Sequence, residues 1–212
     1  MLAGDAVTAT DVRRWLAEDK PVLLLALASD SPLPVAVKRY LGTPEGREAR
    51  RTYKCRNRPP WYVVPDVRVP HAFLTYMSSA EPLLVANRAR CVGTNSVHTV
   101  NLTKWPLSTL QRAWANPFTS LSCEIEGHPL GGGVLKLEPG EAVRVALQST
   151  QRWLSHEERS LIAWGVSTMR EWRHYRGQEG RVAAANHEKW YYHATRCVEG
   201  SGSSPQGQRI HL

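Results

Sequence analysis

Between Phe73 and Leu102 the apolar residues come in short runs, each closed by a turn signal, and this pattern limits the possible folds most. Phe73, Leu74 and Tyr76 form one run, and residues 83–86, 90–93 and 97–102 form others. Asn87-Arg88 and Gly93-Thr94-Asn95 separate them. Runs this short suit strands, and Gly and Asn between them suit tight connections. A meander of short antiparallel strands is predicted, with a further strand at residues 134–137 after a flexible Gly131-Gly132-Gly133 loop.

Helical patterns flank this region. Residues 8–19 predict a short helix capped by Thr10, with Val12, Trp15 and Leu16 on one face. The apolar run 22–28 predicts a buried strand. Val35, Val37, Tyr40 and Leu41 predict a second short helix ending near Gly42. Pro59 and Pro60 stop any helix, and a strand-like stretch is expected from Trp61 through Val69. Pro106 opens a helix to about Ala115, residues 118–125 read as another, and Pro139 starts one reaching Leu147. Residues 155–175 are the best helical stretch, with Ser155 and Glu158 as a capping box. Leu161, Ile162, Trp164, Val166, Met169 and Trp172 supply its apolar positions. The expected fold is α+β: a twisted, mostly antiparallel sheet with packed helices over residues 1–147, then a helical appendage over 148–198. The Gly- and Ser-rich residues 199–212 are expected to be a disordered tail.

The formal charge is +8 and the sequence pI about 9.6, which suits a polyanionic partner. Cys55, Cys91, Cys123 and Cys197 form no CxxC pair and lack zinc-finger spacing to a His. That argues against structural zinc and a disulfide framework, and for a reducing compartment. No run is long and apolar enough for a membrane span, and no secretory signal is visible, so a cytoplasmic protein is expected.

Several stretches carry chemistry. Arg47, Arg50, Arg51, Lys54, Arg56 and Arg58 crowd one segment, opposed only by Glu45 and Glu48. Such cations neutralise phosphates, and an Arg can read guanine. Thr94, Asn95 and Ser96 have the short polar groups that contact base edges or phosphate. The glycines at 131–133 permit close backbone approach to a ligand. Each also has a plainer reading, as a solvated loop or a turn. His98 falls in a strand pattern, where a hydrogen-bonded structural role is the commoner one. Asn116-Pro117-Phe118 is close to the Asn-Pro-Pro-aromatic loop of amino-methylating enzymes, but lacks the second Pro and follows a helical pattern. Cys123 and His128 could make a thiol–imidazole pair for a hydrolase, although nothing orients them. No Gly-rich strand-to-helix loop with a downstream acid is present, so this chain is not expected to bind S-adenosylmethionine.

Lys54-Cys55-Arg56-Asn57-Arg58-Pro59-Pro60-Trp61-Tyr62-Val63-Val64-Pro65 resembles a Lys-x-Arg-x-Arg-x-Pro-Trp-Tyr-x-Val-Pro stretch of TaqI-like adenine-specific DNA methyltransferases of restriction–modification systems. Phe73-Leu74-Thr75-Tyr76-Met77, Leu84-Val85-Ala86-Asn87 and Thr94-Asn95-Ser96-Val97-His98 follow in that family's order. Leu121-Ser122-Cys123-Glu124-Ile125-Glu126-Gly127 then leads to Gly131-Gly132-Gly133-Val134-Leu135-Lys136-Leu137-Glu138-Pro139. The resemblance covers residues 33–141 and only the family's C-terminal, target-recognition half. It implies double-stranded DNA as partner, and a catalytic domain or chain elsewhere that binds S-adenosylmethionine and methylates a flipped adenine. It also implies a DNA-facing set: Lys54, Arg56, Arg58, Trp61, Tyr62, Thr94, Asn95, Ser96, His98, Gly131, Gly132, Gly133 and Lys136. No catalytic or metal-ligating residue is expected here. The chain continues beyond the point where the family usually ends, with an aromatic run at Lys189-Trp190-Tyr191-Tyr192-His193. A docking module for a separate methylase chain, carried by that Trp-rich third, is the alternative.

Overall fold

A computed structural model describes residues 4–148 and 154–174. The 189–193 run, Cys197 and the 199–212 tail lie outside the described residues. In chain order come β1 (Ala6–Val7), α1 (Ala9–Ala17), α2 (Val35–Leu41), α3 (Pro44–Arg51), α4 (Tyr53–Arg56), β2 (Ala72–Thr75), β3 (Met77–Ser78) and β4 (Leu84–Asn87). Then follow β5 (Val97–Val100), α5 (Leu107–Trp114), α6 (Pro117–Glu126), β6 (His128–Leu130), a 3-10 turn (Gly131–Gly133), β7 (Val134–Lys136), α7 (Pro139–Ala142) and α8 (His156–Arg173). The chain divides into two compact units, Met1–Ala9 with Val69–Leu212, and Thr10–Arg68.

The first unit mixes α and β around two small sheets. One has the order β1-β4-β2-β5 and the other β3-β7-β6. All pairings are antiparallel except β1 with β4, where Ala6 faces Ala86 and Val7 faces Asn87. That parallel edge was not expected, because a two-residue strand carries no periodicity. Phe73, Leu74, Val85 and Ala86 are buried in succession along β2 and β4, so both faces of that sheet are covered. β5 alternates instead, with His98 and Val100 inward. Leu74, Leu84, Val100, Leu110, Trp114, Leu135 and Leu137 share one core. Each fully buried aliphatic side chain there contributes about 1.5–3 kcal/mol.

Local signals position the helices on that core. Asn116 caps α6 by accepting from the Phe118 amide at 2.9 Å, with Pro117 in the first turn. The Asn-Pro-Phe segment is thus a helix start. The predicted capping box of α8 is present: the Glu158 amide donates to Ser155 Oγ at 3.1 Å, and the Ser155 amide to Glu158 Oε2 at 2.7 Å. Leu121 of α6 and Val166 of α8 are buried together, flanked by Ile162 and Met169. The helix predicted from Pro139 to Leu147 stops at Ala142. The predicted strand at 90–93 does not form. There the Asn87 carboxamide accepts from the Cys91 amide at 2.9 Å and donates to the Cys91 carbonyl at 2.8 Å, and Arg90 takes φ 55°, so the segment turns.

The second unit holds α2–α4 and most of α1, and none of its residues is fully buried. Thr10 lies inside α1 and accepts from Arg13 at 3.1 Å rather than capping the helix. The apolar run 22–28 forms no strand, and Leu23 is 84% exposed. A strand exists only where a neighbour accepts from its amides and donates to its carbonyls, and no described residue pairs with this run. The strand-like stretch 61–69 is also irregular. Pro65 lacks an amide donor and Asp66 takes φ 56°, which together interrupt any ladder.

Candidate nucleic-acid interface

In the second unit three short helices carry the basic segment. Lys38 and Arg39 end α2, Arg47, Arg50 and Arg51 lie along α3, and Lys54 and Arg56 lie on α4. With Arg58 these make eight cations against Glu45 and Glu48. On α3 the spacing of Arg47, Arg50 and Arg51 sets them on one face. The Thr43 hydroxyl caps α3 by accepting from the Gly46 amide at 3.2 Å. The helix-start amide of Glu45 itself, then Thr43, hold the Glu45 carboxyl below its ordinary range. Gly46 lets α3 begin close against α2, because a Cβ there would lie 2.8 Å from the Leu41 carbonyl carbon.

All of these cations except Arg58 are exposed, and among the described residues none of the exposed ones has an ion-pair partner. Unpaired cations at this density raise the local potential and draw anions. Arg58 is half-buried and donates to the Val63 carbonyl at 3.4 Å, so it ties its own turn. Trp61 and Tyr62 are half-buried and meet edge to face, with centroids 6.0 Å apart at 78°. Four residues join the set that sequence reading left out: Lys38 and Arg39, and the exposed Tyr40 and Tyr53 at 64% and 74%. Their signal was aromatic residues interleaved with bases, in Lys38-Arg39-Tyr40 and Tyr53-Lys54.

The other expected residues lie in the first unit. Thr94, Asn95 and Ser96 are exposed on the loop before β5. Gly93 lets that loop pass β2 and β5, since a Cβ would come within 2.5 Å of Thr99 Cγ2 and 3.3 Å of Phe73 Cε1. His98 faces inward, as its strand pattern suggested: its Nε2 lies 2.7 Å from the Leu137 carbonyl oxygen, and its ring meets Tyr76 edge to face at 5.0 Å. Lys136 sits over the Tyr76 ring at 5.1 Å and is ion-paired with Glu138, which also accepts from the Tyr76 hydroxyl at 2.7 Å. The hydrogen bond to Glu138, then that to Tyr76, raise the Lys136 pKa, while the bond from Lys136, then that from the Tyr76 hydroxyl, lower that of Glu138. Lys136 therefore serves its own corner first. Gly131–Gly133 turns β6 into β7, with Gly132 at φ 76° and Gly133 at φ 75°. Gly132 is exposed and nothing lies within 4 Å of where its Cβ would be.

The thiol–imidazole idea meets contrary geometry. Cys123 is buried, and desolvation pushes its thiol up to about 12, so it is no thiolate near neutral pH. His128 Nδ1 lies 2.9 Å from Glu141 Oε1, so that nitrogen is engaged with the carboxylate. A groove of about 530 Å³ opens beside Glu81, Arg88, Arg112, Trp114 and Cys123. Among the described residues no buried side-chain donor or acceptor lacks a partner.

No helix among the described residues is long and apolar enough to cross a membrane. No curated protein and no solved structure matches the chain. Residues 1–171 match a family described as Type II methyltransferase M.Eco57I, C-terminal domain. That span takes in all of the second unit and the first as far as most of α8, and with it the chain belongs to the M.Eco57I C-terminal domain family of Type II methyltransferases.

Proposed function

We propose that this chain recognises the DNA target of an adenine-specific methyltransferase in a restriction–modification or phage-defence system. The observation that carries the reading is the unpaired basic surface of α2–α4 in a chain of this family. Lys54 and Arg56, with Lys38, Arg39, Arg47, Arg50 and Arg51, would neutralise phosphates of double-stranded DNA and release counterions. Arg58, Trp61 and Tyr62 would shape the adjoining turn and offer a ring to the sugar–base edge. Thr94, Asn95 and Ser96, and the Gly131–Gly133 turn at its exposed Gly132, would approach base edges. His98 and Lys136 would support that loop from behind through Tyr76. Cations for phosphate and short polar groups for bases divide affinity from specificity.

Methyl transfer would belong to a catalytic domain or partner chain, which would hold S-adenosylmethionine and the flipped adenine. The glycine turn at 131–133 would not be that cofactor's loop, since it joins two antiparallel strands and opens no helix.

Fluorescence anisotropy with labelled random duplex DNA across a salt series tests the proposal. Micromolar or tighter binding that weakens steeply with salt is expected. Absence of binding at low salt would contradict it. A second reading, docking to a methylase chain, draws on the outward face of α8, where Leu161 and Trp164 are 41% and 47% exposed. Tight association with a catalytic chain by a form that binds no DNA would favour it.

A further inference from the structure

Arg173, the last residue of α8, is 5% exposed and uses its whole donor set. Its Nε donates to Glu124 Oε2 at 3.0 Å, and Nη2 to Glu124 Oε1 at 3.2 Å, a two-point grip on the α6 carboxylate. Nη2 also donates to the Ala80 carbonyl at 2.5 Å, and Nη1 to the Ser79 carbonyl at 3.1 Å and to the Gly133 carbonyl. Five N–H groups thus meet five acceptor contacts, which only a guanidinium can do. Arg170 steadies the same carboxylate from one turn back, with Nε 3.0 Å from Glu124 Oε1.

The three carbonyls share one place. Ser79 and Ala80 follow β3, Gly133 precedes β7, and Ser78 pairs with Leu135. Beyond that pair the ladder ends, and among the described residues these carbonyls have no strand partner. Arg173 replaces the missing ladder. The next residue, His174, closes on the turn as well: its Nε2 is 3.2 Å from the Ser79 carbonyl, and a Cβ on Gly133 would meet its ring. The turn is therefore held on its inner side by α8 and left open on its outer side at Gly132.

From this geometry we propose that Arg173 is a positioning residue for target discrimination, holding the Gly131–Gly133 turn in the shape that approaches DNA; this rests on the target-recognition reading above. A glycine turn without such a clamp samples many conformations and loses more freedom on binding. The clamp removes that cost for the matching sequence and denies adjustment to others.

Two readouts separate this role from its parent. The full chain, wild type and with Glu124→Gln or Arg173→Lys, is compared by hydrogen exchange at residues 131–133 and by selection from a randomised duplex pool. The variants should exchange faster at the turn. Their preference for the selected over the random duplex should fall by about tenfold, within the range one base contact carries, while the salt slope stays unchanged. Ser155→Ala, which loosens the opposite end of α8, should leave preference intact. Unchanged exchange in Glu124→Gln and Arg173→Lys overturns the proposal, and so does faster exchange with full preference. A wild-type chain that binds no duplex overturns the parent reading and this role with it. A wild-type chain that selects a sequence which both variants select equally well overturns the positioning role alone.

Discussion

Lys54 and Arg56 are exposed and have no ion-pair partner among the described residues, so the proposed phosphate contacts turn on them. Replacing each by Ala should weaken binding to all sequences alike and lower the slope of log K against log salt by about 0.9 per lost contact. Arg58→Ala should change the slope less, since that guanidinium is engaged with Val63. Asn95→Ala should instead relax discrimination at one base position by about 1–3 kcal/mol. In the core, Leu74→Ala should cost about 2–5 kcal/mol, read from chemical denaturation, because Leu74 is fully buried between β4 and β5. The corner after β7 makes a pH prediction. Bonds to Lys136 and Tyr76 lower the Glu138 pKa. At Glu141 burial acts in the opposite sense, but the Glu138 amide and His128 outweigh it and the pKa is again lowered. Both carboxyls therefore stabilise the fold fully above the ordinary glutamate value of 4.5, and that contribution is lost as pH falls through their lower folded values. Melting temperature followed against pH should drop less in this acidic range for Glu138→Gln than for wild type.

Elements with strong local chemistry were legible. Asn116 with Pro117 marks the start of α6, and Ser155 with Glu158 marks that of α8. The buried runs of β2 and β4 are continuous, and β5 alternates. Illegible elements depend on a neighbour. Residues 22–28 have strand composition without a ladder partner, and β1 is a strand only because β4 lies beside it. The candidate site divides in the same way. The cationic segment is visible in the sequence, whereas the clamp of Arg173 on Gly133 joins residues forty positions apart and has no local signature. At this scale Ser155→Ala should destabilise the first unit by about 0.5–2 kcal/mol, as a lost cap does, with α8 fraying first by hydrogen exchange.

Across the whole molecule the two units differ in what holds them. The first has a shared apolar core and a buried ion cluster around Glu124. The second has no fully buried residue and exposes Leu23, Leu24, Leu25, Val35 and Tyr40. Few buried contacts mean a low cost of local opening. Limited proteolysis should therefore cut within residues 10–68 before residues 69–148 are attacked, and duplex DNA should slow those cuts if α2–α4 hold the phosphates. On the proposed function, the basic balance of that unit would make it the main source of salt-dependent affinity. The measurement that decides most is a salt series of duplex binding, comparing the wild-type chain with one in which Lys54, Arg56, Arg50 and Arg51 are Ala. A steep slope in the wild type that flattens in the substituted chain is expected; a shallow slope, or one the substitutions leave alone, would contradict DNA binding through this surface.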